Sequence, residues 1–328
     1  MELTRVLVTG SDGLIGRWVS AELLKCGYDV IGLDLDNETV SEGAYTKYIC
    51  DILDHDAMAR IFQEERPDAV IHLAARTDLE ETKNLAGYDA NMSGVRNVCE
   101  VARQTDSVRR VIYTSSQLVC KVGYVPINDT DYCPNTLYGE SKVWTEKIVR
   151  EEDGGGVEWC LTRPTTVWGP FMKPHYQSVL RYILQGRYFH AGESKLFKSY
   201  SYAGNIAYQI RQLLLAPAEQ IHRQTFFLAD YEPLSLRAYT NLLQDKLGAK
   251  PIPTYPLPLV KLLAKTGDIL NLIGWKQFPF NSFRLNNILT EYVIDMSTTE
   301  AVCGPLPYTF AEGVQETVDW YLALNENK

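Results

Sequence analysis

The chain begins with TRVLVTG (4–10), a short β-branched run ending on glycine, and LIGRWVSAELLKCG (14–27) comes after it at helical spacing and closes on Gly27. That unit sets a pattern. YDVIGLD (28–34), DAVIHLAA (68–75), RRVIYTSS (109–116) and VEWCLTRP (157–164) read as further strands, and ANMSGVRNVCEVARQ (90–104) and YGESKVWTEKIVREE (138–152) as helices between them. Apolar strands separated by helices pair through right-handed crossovers, which cover both faces of a parallel sheet. The expected class is therefore α/β, a doubly wound, mostly parallel sheet. Near residue 170 the pattern changes. QSVLRYILQGRYF (177–189), SLRAYTNLLQDKLG (235–248, with Ser235 as N-cap) and a stretch from about 258 read as helices. PIPTYPLP (251–258) reads as a proline-rich connection, and TFFLAD (225–230) as a strand that returns to the main sheet. The expected division is a first domain over 1–170 and a smaller, mixed substrate-binding region over 171–328; GGG (154–156) is taken as a surface turn.

VTGSDGLIGRW places Gly10, Gly13 and Gly16 after a strand and at the opening of a helix. Glycines there let the backbone turn tightly and approach a pyrophosphate, whose charge meets the helix N-terminus. Asp34, ending the second strand, has the spacing of a carboxylate that binds a ribose 2′-hydroxyl. It would repel a 2′-phosphate, and LDNETVSEG (35–43) holds no Lys or Arg to neutralise one, so NAD is expected over NADP. Asp51 and Ile52 are candidates for the edge and face of the adenine; a helix N-cap explains Asp51 equally well.

Tyr138 precedes Lys142 by one helical turn, on one face. An ammonium beside a phenol stabilises the phenolate and brings its pKa toward the working range. Lys142 would also donate to the nicotinamide ribose, and Ser116, closing VIYTSS, would hydrogen-bond the reacting oxygen.

Bulk properties narrow the partners. A net charge of −9 over 328 residues argues against a general nucleic-acid binder. Seven scattered cysteines without a C-x-x-C argue against a disulfide framework or a zinc site, and no metal is expected. No apolar run is long enough to span a bilayer, and MELTRVLVTG has no cleavable apolar leader. The expectation is a cytoplasmic protein without a membrane partner.

The sequence resembles the extended short-chain dehydrogenase/reductase family, in its NAD-dependent sugar-nucleotide epimerase/dehydratase branch. The likeness rests on TGSDGLIG, Asp34, HLAA (72–75), NMSGVRNV (91–98), YTSSQLV (113–119), YGESK (138–142) and RPTTVWGP (163–170), and is strong over roughly the first 170 residues. It implies a Rossmann sheet, NAD as cofactor, a nucleotide-sugar substrate, and Ser116, Tyr138 and Lys142 as the catalytic trio. It further implies that Leu14, Ile15, Leu73, Ala74, Ala75 and Thr114 line the cofactor, that Asn91 supports the active-site network, and that Pro164 borders the nicotinamide. A homodimer through the helices near 90–104 and at Tyr138 belongs to the same likeness.

Members of that branch share a first step, oxidation of a sugar hydroxyl, and differ in the fate of the resulting ketone. Dehydratases carry Asp-Glu after the catalytic Ser/Thr and decarboxylating members a Glu; this chain has Gln117 and Leu118, which disfavours both outcomes. C4 epimerisation through a transient ketone is the leading expectation, tilted by the NAD preference. Net reduction or oxidation of a keto-sugar nucleotide or a sterol-like alcohol is the alternative, motivated by PLPLVKLLAKTGDILNLIG (256–274). A non-catalytic NAD-binding role fits poorly with an intact trio. On the substrate side, Thr166 stands where epimerases usually have Asn, and Lys198 where many have Arg. Lys198 and Arg284 are candidates for a diphosphate clamp, and Gln117 and Arg76 for further substrate contacts, Arg76 weighed against pairing with a surface acid. Cys120 is read as packing rather than nucleophile, and His72 as structural.

Overall fold

Strands β1 (Arg5–Thr9), β2 (Asp29–Asp34), β3 (Thr46–Ile49), β4 (Ala69–His72), β5 (Arg110–Thr114) and β6 (Glu158–Pro164) join Gln224–Leu228 in one seven-stranded sheet of the computed structural model. Residues 3–35, 45–79, 81, 83–174, 176–193, 196–274 and 280–326 are described; most of the 35–43 stretch read for cofactor choice lies outside them. The order across the sheet is Gln224–Leu228, β6, β5, β4, β1, β2, β3, and every pairing is parallel.

β1 pairs with β2 on one side (Val6 opposite Val30) and β4 on the other (Val6 opposite Ala69). The chain therefore reverses its direction of travel across the sheet at β1, and a ligand crevice is expected beyond the C-terminal ends of β1 and β4. Alternate residues face opposite cores. Leu7, Val70, Val111 and Leu161 pack on one side with Met58 and Phe62 of helix α2 (His55–Glu65) and Val98 of α3 (Ser93–Gln104). Val6, Val8, Ile71 and Ile112 pack on the other with Val19 and Leu23 of α1 (Leu14–Lys25) and with Ile206 and Ile210 of the helix Ala203–Leu215.

Several elements differ from expectation. β3, α2 and the helix Ala203–Leu215 were not anticipated. The helix expected over 177–189 covers only Ser178–Leu184, because Gly186 at φ 65° turns the chain into a short strand, His190–Ala191. That strand pairs with Thr254–Tyr255 inside the proline-rich connection. The triple glycine turns the chain at the surface only at its exposed last member, Gly156. Gly154 and Gly155 are buried, because the Trp159 ring and the Cys99 carbonyl occupy the space their side chains would need.

The chain divides into two compact units. The first comprises Met1–Phe171, Ser201–Tyr231 and Asp295–Tyr308; the second comprises Met172–Tyr200, Glu232–Ile294 and Thr309–Lys328. Among the described residues, no helix is long and apolar enough to cross a membrane.

Candidate active site

The glycine turn after β1 is held against the end of β4. Thr9 Oγ1 accepts from the backbone N–H groups of Leu73 and Ala74, each at 3.2 Å, and bonds His72 Nδ1 at 2.8 Å. At Gly10 (φ 72°) a Cβ would lie 2.7 Å from Ala74 N, and at Gly16 it would lie 2.0 Å from the Gly10 carbonyl oxygen, so neither site admits a side chain. Leu14 and Ile15 open α1, which starts from Gly13 with no side-chain cap. Its first-turn N–H groups therefore keep their capacity for an anion. Asp34 Oδ2 accepts from Asp12 N and Oδ1 from Leu35 N, both at 2.8 Å; each oxygen retains acceptor capacity for a ribose hydroxyl. A bare helix terminus, a cradle with no room for Cβ atoms and an oriented carboxylate fit a dinucleotide. Lys47 on β3, outside the stretch scanned for basic residues, is ion-paired with Asp12.

Asp51 Oδ1 accepts from Leu53 N at 3.0 Å within a turn, and the N-cap of α2 is Asp54, which takes Ala57 N at 3.0 Å. The capping role weighed for Asp51 thus belongs to Asp54. Ile52 is buried against α3, where a Cβ on Gly94 would lie 2.6 Å from its Cδ1.

The catalytic candidates sit on α4 (Leu137–Glu151) and just beyond β5. Thr136 caps α4 by accepting from Gly139 N at 3.0 Å, which starts the helix one residue before Tyr138. Tyr138, Lys142 and Glu146 then recur at intervals of four and are all buried. Lys142 Nζ donates to the Thr114 carbonyl oxygen at 2.9 Å, tying the helix to the end of β5. Ser116 Oγ accepts from Leu118 N at 3.1 Å, which leaves its own proton to donate. The Tyr88 and Tyr138 ring centroids are 6.0 Å apart. Asn91, fully buried, accepts from Arg76 N and donates to both the Arg76 carbonyl and Ser141 Oγ, all at 2.9 Å. It therefore locks the segment after β4 onto α4.

Burial pushes the Lys142 ammonium down to about 8, against a smaller upward pull from Glu146. A lysine pKa depressed by folding means the unfolded chain binds more protons between that value and the ordinary 10.5, so the penalty is complete below about pH 8 and relieved as pH rises through this window. The shift corresponds to roughly 3 kcal/mol, less about 1 kcal/mol for the Thr114 carbonyl left bare. Lys142→Met is expected to be inactive with NAD present and, compared cofactor-free, more stable than the parent at pH 7 by about 2 kcal/mol. Urea melts at pH 7 and pH 10 check this; a variant less stable than the parent at pH 7 would contradict it.

Behind the trio lies an ion pair that the sequence reading missed. Arg163 of β6 (1% exposed) forks onto Glu146 (0%), with Nε–Oε1 and Nη2–Oε2 distances of 2.7 Å. Tyr132 Oη donates to Glu146 Oε2 at 3.0 Å, and Arg163 Nη2 also donates to the Asp129 carbonyl at 2.5 Å. The available signal was an arginine near the end of the strand-like run VEWCLTRP.

The substrate candidates fall into two groups. Gln117 Nε2 donates to Thr166 Oγ1 at 3.4 Å, whereas Gln117 Oε1 and Ser115 Oγ, both buried beside Ser116, have no partner among the described residues. Unsatisfied polar atoms at this position suit a bound ligand. Pro164 is buried at the end of β6, and Ala75 is half-buried after β4. Arg76 instead forks onto the acid, Asp78, at 2.8 and 3.1 Å, donates to the Gly87 carbonyl at 2.8 Å, and lies over the Tyr88 ring. Lys198 and Arg284 both belong to the second unit. Lys198 Nζ donates to the Asn287 carbonyl on the helix Ser282–Leu289, which carries Arg284, and burial lowers its pKa. His72 is fully buried, and desolvation, with the nearby Lys142 charge, pushes it down to about 3, so it stays neutral. Burial raises the Cys120 thiol, which donates to the Asp131 carbonyl at 3.3 Å; all seven cysteines are free.

Residues 6–206 match the family described as "NAD dependent epimerase/dehydratase family". An N-acetyl-alpha-D-glucosaminyl-diphospho-ditrans,octacis-undecaprenol 4-epimerase from Escherichia coli O157:H7 is 26% identical over 96% of this chain and 94% of its own. A 3-beta-hydroxysteroid dehydrogenase from Mycolicibacterium neoaurum is 27% identical over 85% of this chain and 78% of its own. Among solved structures, the UDP-glucose 4-epimerase of Thermus thermophilus in complex with NAD superposes with a TM-score of 0.73 at 22% identity, covering 97% of this chain and 99% of that one. The UDP-glucose 4-epimerase of Thermotoga maritima with UDP-glucose gives 0.75 at 21% identity, covering 98% and 100%.

Proposed function

The chain belongs to the NAD dependent epimerase/dehydratase family, and on that premise we propose that this NAD-dependent enzyme is an epimerase acting at C4 of a sugar carried on a diphosphate, with nucleotide sugars as the first substrates to test. Bound NAD supplies an acceptor for the substrate's hydride and a donor that returns it. Tyr138 takes the proton of the reacting hydroxyl and gives it back, Lys142 holds positive charge beside the phenolate, and Ser116 donates to the substrate oxygen. The observation that carries the reading is the position after Ser116. There the buried Gln117 amide reaches Thr166 and no carboxylate comes next, so proton removal at neighbouring carbons lacks a base. With dehydration and decarboxylation disfavoured, the transient ketone can take the hydride back on its other face, an outcome that leaves NAD unconsumed. Lys198 and Arg284 are the diphosphate clamp of this reading, and a homodimer through α3 and α4 belongs to it; exposed Trp144 on α4 supports the latter.

Incubation with UDP-, GDP-, CDP- and dTDP-sugars tests it. Interconversion of C4 epimers without net change in NADH absorbance is expected, and absence of any interconversion would discard it. A second reading, net oxidation of a sterol-like alcohol, is favoured by one observation. The second unit holds a cavity of about 440 Å³ lined by Tyr182, Tyr188, Phe189, Leu196, Phe280 and Ile288, among others. Stoichiometric NADH formation with a sterol alcohol would replace the first reading by this one.

A further inference from the structure

We propose that the helix Leu257–Leu272 is a surface anchor that lays the second unit on an anionic phospholipid membrane. One face of this helix, carrying Val260, Ala264 and Gly267, is buried. Other positions expose large apolar side chains to water, Leu262 at 63%, Ile269 at 60% and Leu272 at 85%, continued by Ile273 at 75% just past the last turn. Leu259, Leu262, Ile269 and Ile273 fall along one helical stripe. Scattered exposed leucines need no explanation, but a row on a single helix, broken only by Thr266, whose hydroxyl is turned back onto the Leu262 carbonyl at 3.1 Å, marks an interaction surface.

Charge identifies the occupant. The protein carries a net −9, yet residues 246–267 hold Lys246, Lys250, Lys261 and Lys265; the acids that bound this stretch are Asp245 and Asp268, and the half-buried Asp268 accepts from Ser282 N at 3.0 Å. All four lysines are exposed, and Lys261 and Lys265, one turn apart, flank the apolar stripe. An apolar face bordered by ammonium groups fits acyl chains below and phosphate headgroups around them. A two-fold copy of the same surface would instead bring one lysine-rich patch against another. Sixteen residues of helix reach roughly 24 Å, so the element lies on a bilayer rather than spanning it. The expectation of no membrane partner was drawn from the absence of a spanning run and does not reach an element of this kind.

The inner face gives the anchor a use. Val260 and Ala264 pack in one cluster with Phe189, Ala191, Phe280 and Leu289, and these four also line the cavity of about 440 Å³. The wall between lipid and chamber is thus one helix thick, and the chamber is lined mainly by apolar and aromatic side chains.

Flotation of the full chain with vesicles of equal parts phosphatidylglycerol and phosphatidylcholine, at low salt, tests the anchor without reference to the reaction catalysed. The protein should float with these vesicles, sink with phosphatidylcholine alone, and sink again as salt is raised. Leu262→Glu with Ile269→Glu should abolish flotation, and Lys261→Gln with Lys265→Gln should weaken binding by about tenfold or more. Circular dichroism spectra and thermal melts should match the parent in both variants, which certifies their fold. The anchor is overturned by a parent protein that does not float, by equal binding to phosphatidylcholine, or by unaltered flotation of the glutamate variant. It is also overturned by a vesicle-free dimer that the glutamate variant renders monomeric, which would assign the face to a second copy.

Discussion

Tyr138→Phe is expected to lower turnover by roughly 10²- to 10⁴-fold, the range for removing a positioned general acid–base group. The substitution deletes one oxygen and keeps the ring, which is buried against Tyr88, so the helix and its packing survive. NAD affinity measured by calorimetry should therefore stay close to that of the parent, because the glycine cradle and Asp34 belong to other elements of the fold. The split between binding and rate is the informative result. A variant that turns over at the parent rate would remove Tyr138 from the chemistry, and one that loses NAD binding altogether would make its role structural.

Arg163→Met should cost about 3–5 kcal/mol of unfolding free energy in urea, more than any surface ion pair would. Glu146 is fully buried, and its partners on Arg163 carry two of its three hydrogen bonds, so losing the guanidinium strands a carboxylate in the core of α4. Pairing Arg163→Met with Glu146→Met should recover much of that loss, since two apolar side chains of similar length leave no uncompensated charge. Activity supplies the second readout. Glu146 lies one turn beyond Lys142 on the same helix, so the single variant should lose rate even at temperatures where it remains folded. If the double variant proves less stable than the single one, the pair has another role.

The legible and the illegible parts of this chain divide along physical lines. β1, β2, β4, β5 and β6 were legible because each is a short run buried on both faces and filled mostly by apolar, often β-branched, side chains. β3 was not; it is an edge strand, TKYI, whose residues are only partly buried and carry no such signature. The glycine turn and the Tyr138–Lys142 spacing were legible because they are local: a backbone turn with no room for a Cβ at Gly10 and Gly16, and two side chains one helical turn apart. The Glu146–Arg163 pair was not, because its partners lie 17 residues apart on different elements, and nothing along the chain says that they meet.

The order of residues alone determined the alternating α/β plan, the glycine turn after β1 and the one-turn spacing of Tyr138 and Lys142, since each arises from spacing within one or two elements. Only the folded chain decided that Arg163 reaches Glu146, that Asn91 ties the segment after β4 to Ser141 of α4, and that a leucine-rich helix buries one face and leaves another in water. Those outcomes depend on which surfaces meet across the sheet and within the second unit. Long-range contact is a property of the whole packing, and no local pattern of polarity encodes it.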